Sequence, residues 1–375
     1  MKRLLLIGAG HAHAQVLRDL CTRASSDLEV TLVSPASLAP YSGMVPGWMA
    51  GHYDWDECCI DAEQLCRAAG ARFVRGLASA IDADARTVQL ADGARLPYDL
   101  LSLDIGSTAL PLAGAGTPLV AMRPLERLEA HWERLRHQVQ ALPAGARLRV
   151  VMVGAGAAGI EALLAVRHQL AAWAPAVGLD CVLATSGAGL LPALAARAAR
   201  LVQRHLRAHD IEVVRGFEAA EVDAMGVRGC DGRRLDADVV LWATGAAPHA
   251  WPGAAGLALD EAGFIRVDAT LRSVSHPDIF AAGDCAGLPA PVPKAGVFAV
   301  RMGPVLAHNL HAALHELPLA PYRPQRRNLF LLGTGARHAI AAWGPFAWQG
   351  KWVWRWKERI DRRFLARYNG GPRPA

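Results

Sequence analysis

No stretch of this 375-residue chain is long and apolar enough to cross a bilayer as a helix. The longest uncharged stretches, residues 34–53, 105–122 and 239–259, are broken by proline and glycine, whereas a span needs ~20 consecutive apolar residues. Met1-Lys2-Arg3 followed by Leu4–Ile7 is too short for a secretory leader and opens straight into Gly8-Ala9-Gly10. Cysteine is scarce and unpaired. Cys21, Cys58, Cys59, Cys66, Cys181, Cys230 and Cys285 make an odd number without a C-x-x-C, so neither a disulfide framework nor a metal site is expected. Free thiols in a reducing, cytoplasmic compartment are the expectation instead. G-x-S-x-G, H-E-x-x-H and Walker loops are also missing, which removes support for hydrolase and nucleotidase chemistry. Charged residues make up 20% against 52% hydrophobic, which excludes global disorder. The length suits two to three domains.

Charge is unevenly spread. The formal net charge is +6, yet residues 321–375 hold 12 Arg or Lys against only Glu358 and Asp361, a balance of +10 that leaves −4 for the rest. The basic pI therefore belongs to the tail, and no nucleic-acid partner is expected. The excess of Arg over Lys, 36 to 4, reports codon usage more than function. Five of the 11 tryptophans also lie in the tail: Trp343, Trp348, Trp352, Trp354 and Trp356.

One plan occurs twice. Lys2–Ile7 is an apolar run ending in Gly8-x-Gly10, with a helical pattern through Leu20. Leu148–Val153 is another, ending in Gly154-x-Gly156-x-x-Gly159, with a helical pattern through Leu170. Each is followed by a second short strand, Glu29–Val33 and Asp180–Thr185, then by strand pieces around Asp92-Gly93 and Asp231-Gly232. Each half closes on a strand ending in glycine, Tyr98–Gly106 and Ala237–Gly245. The loops are offset by 146 residues, the turns and closing glycines by 139. Four ordered features at near-constant offset predict an α/β fold with two Rossmann-like dinucleotide-binding domains. In such a loop glycine lets backbone N–H groups approach a pyrophosphate, and the helix N-terminus adds positive partial charge. Between the halves, Met122–Leu142 reads as a helix with Pro124 in its first turn and a polar face that includes Glu129, Glu133 and Arg136.

A third segment completes the pattern. Pro277–Asp284 is a short apolar strand ending in Gly283-Asp284, and Pro293-Lys294-Ala295-Gly296 opens a helical pattern from Val297 to about His315. An Asp placed there can accept hydrogen bonds from ribityl hydroxyls, and the following helix N-terminus can face a group that becomes anionic on reduction.

The order G-x-G, D-I-G, G-x-G-x-x-G-x-E, A-T-G, A-G-D resembles the two-dinucleotide-domain flavoproteins of the pyridine nucleotide–disulfide oxidoreductase superfamily. Type II NADH dehydrogenases and sulfide:quinone oxidoreductases belong to that group. The resemblance covers about residues 1–316. Gly8–His13, Pro40–Gly47, Ala50–Tyr53, Leu101–Ser107 and Pro293–Arg301 look more narrowly like the flavin domain found fused ahead of selenide, water dikinase.

The resemblance implies a discontinuous FAD domain, 1–116 and 250–320, with an NAD(P)-binding-like domain, 117–249, inserted in it, and a tail, 321–375. It implies that Gly8, Gly10, His11 and Ala12 hold the FAD pyrophosphate, and that Ser34, Asp104 and Gly106 border the cofactor. Gly283 and Asp284 would hold the ribityl chain, with Tyr41, Ser42, Gly43 and Met44 beside the flavin ring. Lys294, Ala295, Gly296 and Val297 would cap that ring. Gly154, Gly156 and Gly159 would hold NAD(H) or NADP(H), with Glu161 near the nicotinamide; Lys294 and Glu161 are the candidate catalytic groups. Electrons would pass from NAD(P)H through FAD to a quinone or other small acceptor. A sulfur or selenium species, or an FAD-binding redox-sensing role, are the alternatives.

The departures are specific. His13 replaces the third glycine of the first loop, which predicts looser strand–helix packing. With His11 it either brings two imidazoles to the pyrophosphate end or supplies one buried and one strand-packed histidine. Ser34 and Thr185-Ser186 stand where ribose-binding acids are expected. The redox dithiol is replaced by Pro40–Pro46, which leaves the flavin as redox centre; Cys285 either approaches the flavin or packs, and the adjacent Cys58 and Cys59 read as packed small hydrophobes. In the tail, Lys351–Tyr368 predicts an amphipathic helix whose stripe is Val353, Trp356 or the Lys357 stem, Ile360, Phe364 and Tyr368. Such a stripe suits either peripheral contact with the inner face of a membrane or packing on protein.

Overall fold

In a computed structural model of the chain, residues 1–375 are described except 23–26, 110–118, 193, 326 and 371–375. The elements follow the duplicated plan. In the first copy, strand β1 (Lys2–Ile7) leads into helix α1 (His11–Leu20), strand β2 (Leu28–Ser34), helix α2 (Ala62–Ala68) and strand β3 (Arg72–Arg75). A three-stranded antiparallel unit, β4 (Ala78–Asp82), β5 (Thr87–Leu90) and β6 (Arg95–Pro97), precedes β7 (Leu100–Leu103). The second copy is entered through β8 (Leu119–Ala121) and helix α3 (Leu128–Gln140). It continues with β9 (Arg147–Val153), α4 (Ala157–Trp173), β10 (Gly178–Thr185), α5 (Ala196–Ala208) and β11 (Glu212–Arg215). Its antiparallel unit is β12 (Ala219–Asp223), β13 (Gly226–Gly229) and β14 (Arg234–Asp236), followed by β15 (Val239–Trp242). Then come β16 (Ile279–Ala281) and helix α6 (Gly296–Leu314). The tail forms β17 (Leu329–Thr334), β18 (Ala336–Trp343), β19 (Phe346–Gly350) and helix α7 (Lys351–Asn369).

Two five-stranded parallel sheets result, ordered β16-β7-β1-β2-β3 and β8-β15-β9-β10-β11. Helices cover both faces of such sheets, so central strands read as continuous apolar runs rather than alternating ones. Leu4–Ile7 and Val150–Val153 are accordingly all buried. The first sheet takes its outer strand β16 from beyond the second copy, so the second unit is an insertion in the first. The expected boundary between 116 and 117 lies outside the described residues. A short antiparallel pairing, Thr108 with Ala247 and Ala109 with Ala246, ties the two closing segments together.

The repeat is reproduced in fine detail. The N–H groups of Ala94 and Arg233 donate to the carboxylates of Asp92 and Asp231, both at 3.0 Å. Gly93 and Gly232, at φ 90° and 81°, make those turns in the left-handed region. One expected element is shorter. Pro124 is extended (ψ 148°) and precedes a single 3₁₀ turn, so the helix begins at Leu128 rather than Met122. A proline ring disfavours helical conformation in the residue before it.

The tail is a three-stranded antiparallel sheet plus α7, and it packs on the body. The buried face of α7 is Val353, Trp354, Lys357, Asp361, Phe364, Leu365 and Tyr368. Trp356 and Ile360, expected on that face, point outward with Trp352. The phase differs from the expected stripe because Lys357 and Asp361 are buried as an ion pair, which a hydropathy pattern counts as a polar face. Trp354 lies against the rings of His52 and Tyr53, and Asn369 holds the Cys59 carbonyl at 2.7 Å. No helix among the described residues is long and apolar enough to cross a membrane. Truncating a buried aromatic removes its transfer energy and leaves a cavity. Phe364→Ala should therefore cost about 3–5 kcal/mol in urea unfolding, whereas Ile360→Ala should change stability by less than about 1 kcal/mol.

Candidate functional site

Both glycine loops are built alike. Gly8 and Gly154 turn at φ 92° and 116°, and their N–H groups donate to Val33 and Ala184 at 2.8 and 2.9 Å. A Cβ on either would lie 2.3–2.4 Å from the backbone oxygen of Asp104 or Ala243, so only glycine fits. Gly10 and Gly156 stand in extended conformation at the N-caps of α1 and α4 without a side-chain cap. Around Gly156 a Cβ would meet nothing within 4 Å, so the approach to the α4 N-terminus is open. These are the features a dinucleotide pyrophosphate requires.

The loops differ at three coupled positions. A Cβ on Gly159 would lie 2.1 Å from the Gly154 oxygen. His13, its counterpart, instead places Nδ1 at 2.6 Å from the equivalent Gly8 oxygen and Nε2 at 2.8 Å from Ser102 Oγ. Ser102 corresponds to Leu241 in the other copy, and Asp104 to Ala243. Asp104 Oδ2 accepts the N–H groups of Ala12 and His13 at 2.8 and 3.0 Å. Its carboxyl fills the space where a Cβ on Gly10 or Gly283 would fall, 2.3 and 2.5 Å away. Burial pushes it up to about 7 and pushes His11 and His13 down to about 4.

Around these loops the expected first-domain residues gather. Gly283 (φ 69°) donates its N–H to Met302 Sδ at 3.2 Å. Asp284 follows, and Ala295 is the N-cap of α6 with no side-chain cap. A Cβ on Gly296 would lie 2.7 Å from Ser42 Oγ, so the Tyr41–Met44 loop and the α6 N-terminus are in contact. Nearby, His11 Nε2 is buried with no partner in the protein. Its ring lies 5.5 Å from Tyr41 and 5.8 Å from Phe364, and Tyr41 stacks on Phe364 at 4.3 Å. An orphaned buried nitrogen, an uncapped helix N-terminus and a glycine cradle together fit an FAD. Ser34 is buried at the end of β2, and Gly106 turns at φ 65°.

Two of the expected residues have charged or aromatic partners within the protein. The Lys294 ammonium donates to the Ala286 carbonyl at 2.6 Å and lies 3.8 Å over the Phe264 ring, a cation–π contact. Its ammonium is thus held by the protein itself. Asp284 is paired with Arg123 at 2.5 Å, and Arg123 also reaches the Lys294 carbonyl at 3.3 Å and Ser107 Oγ. Nothing in the sequence singled out Arg123, because it comes from the connection into the second copy. The cysteines are all free. Burial raises the Cys58 and Cys285 thiols to about 12, so thiolate chemistry is disfavoured at neutral pH.

Glu161 has the most consequential surroundings. Its Oε1 accepts the Gly333 N–H of β17 at 2.7 Å, and Lys357 Nζ of α7 is 4.0 Å away. Lys357 also donates to Asp361 at 2.8 Å and to the Gly43 carbonyl. Burial, with Asp361 nearby, raises the Tyr41 hydroxyl well above its ordinary value. The second glycine loop's helix, the first domain's Tyr41–Met44 loop and the tail thus meet at one ammonium. Burial would lower Lys357, but Asp361 and Glu161 hold it above its ordinary value. With two carboxyls sharing one cation, burial raises Glu161 to about 7. Lys357 and Gly333 escaped sequence reasoning, since only folding brings the tail here.

A family model for the pyridine nucleotide-disulphide oxidoreductases matches residues 2–303. A NADH dehydrogenase-like protein of Mycobacterium tuberculosis is 32% identical over 306 residues, 76% of this chain and 73% of that protein. The type II NADH:quinone oxidoreductase NdhA of the same organism is 24% identical, with 94% of this chain and 81% of NdhA covered. The solved sulfide:quinone oxidoreductase of Aquifex aeolicus superposes with a TM-score of 0.81 at 18% identity, covering 99% and 92% of the two chains, which is a likeness of fold.

A carboxyl raised in the folded state favours folding below its unfolded value and withdraws that contribution as pH rises through the raised value. Wild-type protein should therefore lose stability relative to Glu161→Gln between about pH 4.5 and 7, by on the order of 2–3 kcal/mol, and no more above it. Glutamine keeps an acceptor for Gly333 N–H. Thermal or urea unfolding of both proteins across this range checks it; parallel curves would contradict it.

Proposed function

This chain belongs to the pyridine nucleotide-disulphide oxidoreductase family, and we propose that it is a type II NADH dehydrogenase-like enzyme that passes two electrons from NAD(P)H through FAD to a quinone. FAD in the first domain would supply the two-electron exchange. The observation carrying the reading is that Glu161 of the second loop's helix and Gly43 of the first domain's loop share Lys357. Hydride transfer needs donor and flavin in contact, and that shared cation draws the two nucleotide units to one place. Two names among the relatives, NdhA and the Aquifex protein, include quinone as the acceptor.

Each side chain has a role in this reading. Gly8, Gly10 and the start of α1 bind the FAD diphosphate, and His11 Nε2 offers a buried hydrogen bond. Arg123 pairs with Asp284 and would orient it for the ribityl chain. Glu161, raised to about 7 by burial and 4.0 Å from the Lys357 ammonium that also binds Asp361, would hold a proton for the acceptor. Phe364 and Tyr41, stacked beside His11, would shield that side of the flavin site from water.

The tail supports a membrane-dissolved acceptor. Trp343, Phe346, Trp348, Trp352, Trp356 and Ile360 are all exposed on β18, β19 and α7. Arg197, Arg200, Arg204 and Arg207 of α5 line an open groove with Trp348 and Trp352. Interfacial aromatics beside arginine suit the headgroup layer of anionic lipids. The protein should co-sediment with phosphatidylglycerol-containing vesicles at low salt. Trp352→Glu with Trp356→Glu should abolish this without loss of fold, since both side chains are exposed; undiminished binding would reject the surface.

Anaerobic titration with NADH and NADPH tests the reaction itself. Either should bleach the flavin, and Gly156→Trp should block bleaching while FAD stays bound, because the indole fills the diphosphate's place. Flavin that stays oxidised under excess of both would overturn the NAD(P)H reading. Sulfide or selenide would then be the donors to titrate, as the resemblance to the flavin domain fused to selenide, water dikinase suggests.

A further inference from the structure

The first glycine loop carries a charge problem that the second does not. At the position where the second copy has Ala243, Asp104 turns a carboxyl into the pyrophosphate loop. The side chain is 3% exposed, wedged between Gly10 and Gly283, and holds two of the N–H groups at the α1 N-terminus. An FAD diphosphate brings two further negative charges to the same helix end. Like charges a few ångströms apart at low solvent exposure repel strongly.

We propose that Asp104 takes up a proton when FAD binds, so that a neutral carboxyl lies beside the diphosphate and the affinity for the cofactor depends on pH. The inference rests on the assignment of FAD to the first domain. Protonated Asp104 still accepts from Ala12 and His13 through Oδ2, and its hydroxyl becomes a donor that a phosphate oxygen can receive.

The surroundings leave Asp104 as the group that titrates in the relevant range. His11 and His13 on α1 are held near 4 by burial, so both stay neutral. Beyond β16, Asp284 is paired with Arg123, and burial raises the Cys285 thiol to about 12. Lys294, before α6, is lowered by burial but remains bound to the Ala286 carbonyl. On the flanking strands β1 and β7, Lys2 and Arg3 stand at the far end of β1, bound to the Leu314 carbonyl and to Asp99, and Ser102 is engaged by His13. Burial already places Asp104 near 7 without the cofactor. A bound dianion raises it further, so binding above pH 7 is linked to proton uptake and weakens as pH rises.

The test is the dissociation constant of FAD from flavin-stripped protein, followed by quenching of FAD fluorescence between pH 5.5 and 8.5. Wild-type affinity should be level below about pH 7 and fall by up to about tenfold per pH unit above it. Asp104→Asn keeps the acceptor oxygen and removes the charge, so its affinity should be level throughout and higher than wild type at pH 8.5. Calorimetry in two buffers of different ionisation enthalpy reads the proton directly: close to one taken up by wild type at pH 8, none by Asp104→Asn. Wild-type binding that is level with pH and takes up no proton overturns the inference. Absence of FAD binding by either protein at every pH would instead reject the assignment of FAD on which it rests.

Discussion

The site depends on one buried ammonium. Lys357 is one of only four lysines, it is 5% exposed, and it touches three parts of the molecule. Removing one partner from a buried ion pair leaves an uncompensated charge, which is far costlier than the pair is worth. Lys357 is therefore held wherever Asp361, Glu161 and the Gly43 carbonyl can all reach it. That condition fixes the phase of α7, brings the tail across the Tyr41–Met44 loop and sets Phe364 on Tyr41. It also buries Glu161, and that burial, only partly offset by a cation shared with Asp361, raises its carboxyl to about 7. Packing, orientation and proton affinity all follow from one charge arrangement.

The duplicated architecture shows what each copy has kept and changed. Both keep the strand, glycine turn, helix and antiparallel unit, down to equivalent Asp-Gly turns. The second keeps a close glycine contact at Gly159, next to Ala243 and Leu241. The first has exchanged all three small or apolar choices for His13, Asp104 and Ser102, and joins them by hydrogen bonds. Any one alone would bury an unsatisfied polar group, at a cost of about 1–3 kcal/mol. Together they satisfy one another, so the three substitutions act as a set. The first loop thereby gains polar groups at its phosphate end, while the second keeps an open approach to the α4 N-terminus.

Most of the fold was legible because its signals are local. An apolar run, a glycine loop and a helical period can each be read in a dozen residues, and their repetition at constant offset makes the two sheets predictable. The start of α3 was misread because Pro124 was placed in the helix, whereas it stands extended before it. The roles of Lys294 and α7 were harder for a different reason. Lys294 lies in the expected segment, but its ammonium turns to Phe264 and Ala286, which no sequence spacing reveals. In α7 a buried Lys–Asp pair at i, i+4 looks like a solvated helix face until Glu161 is brought against it from almost 200 residues away. Arg123 was invisible on the same grounds: its partner Asp284 is 161 residues distant. Local patterning specifies elements, while long-range charge pairing specifies the site.

The two copies divide the labour in the proposed reaction, with FAD in the first and a dissociable nicotinamide dinucleotide in the second. Native mass spectrometry of the purified protein tests it most directly. The account predicts a 40.0 kDa chain carrying a single FAD, with Gly10→Trp losing it and Gly156→Trp retaining it. Two flavins per chain, FMN in place of FAD, or loss of flavin on substitution of Gly156 but not of Gly10 would contradict it.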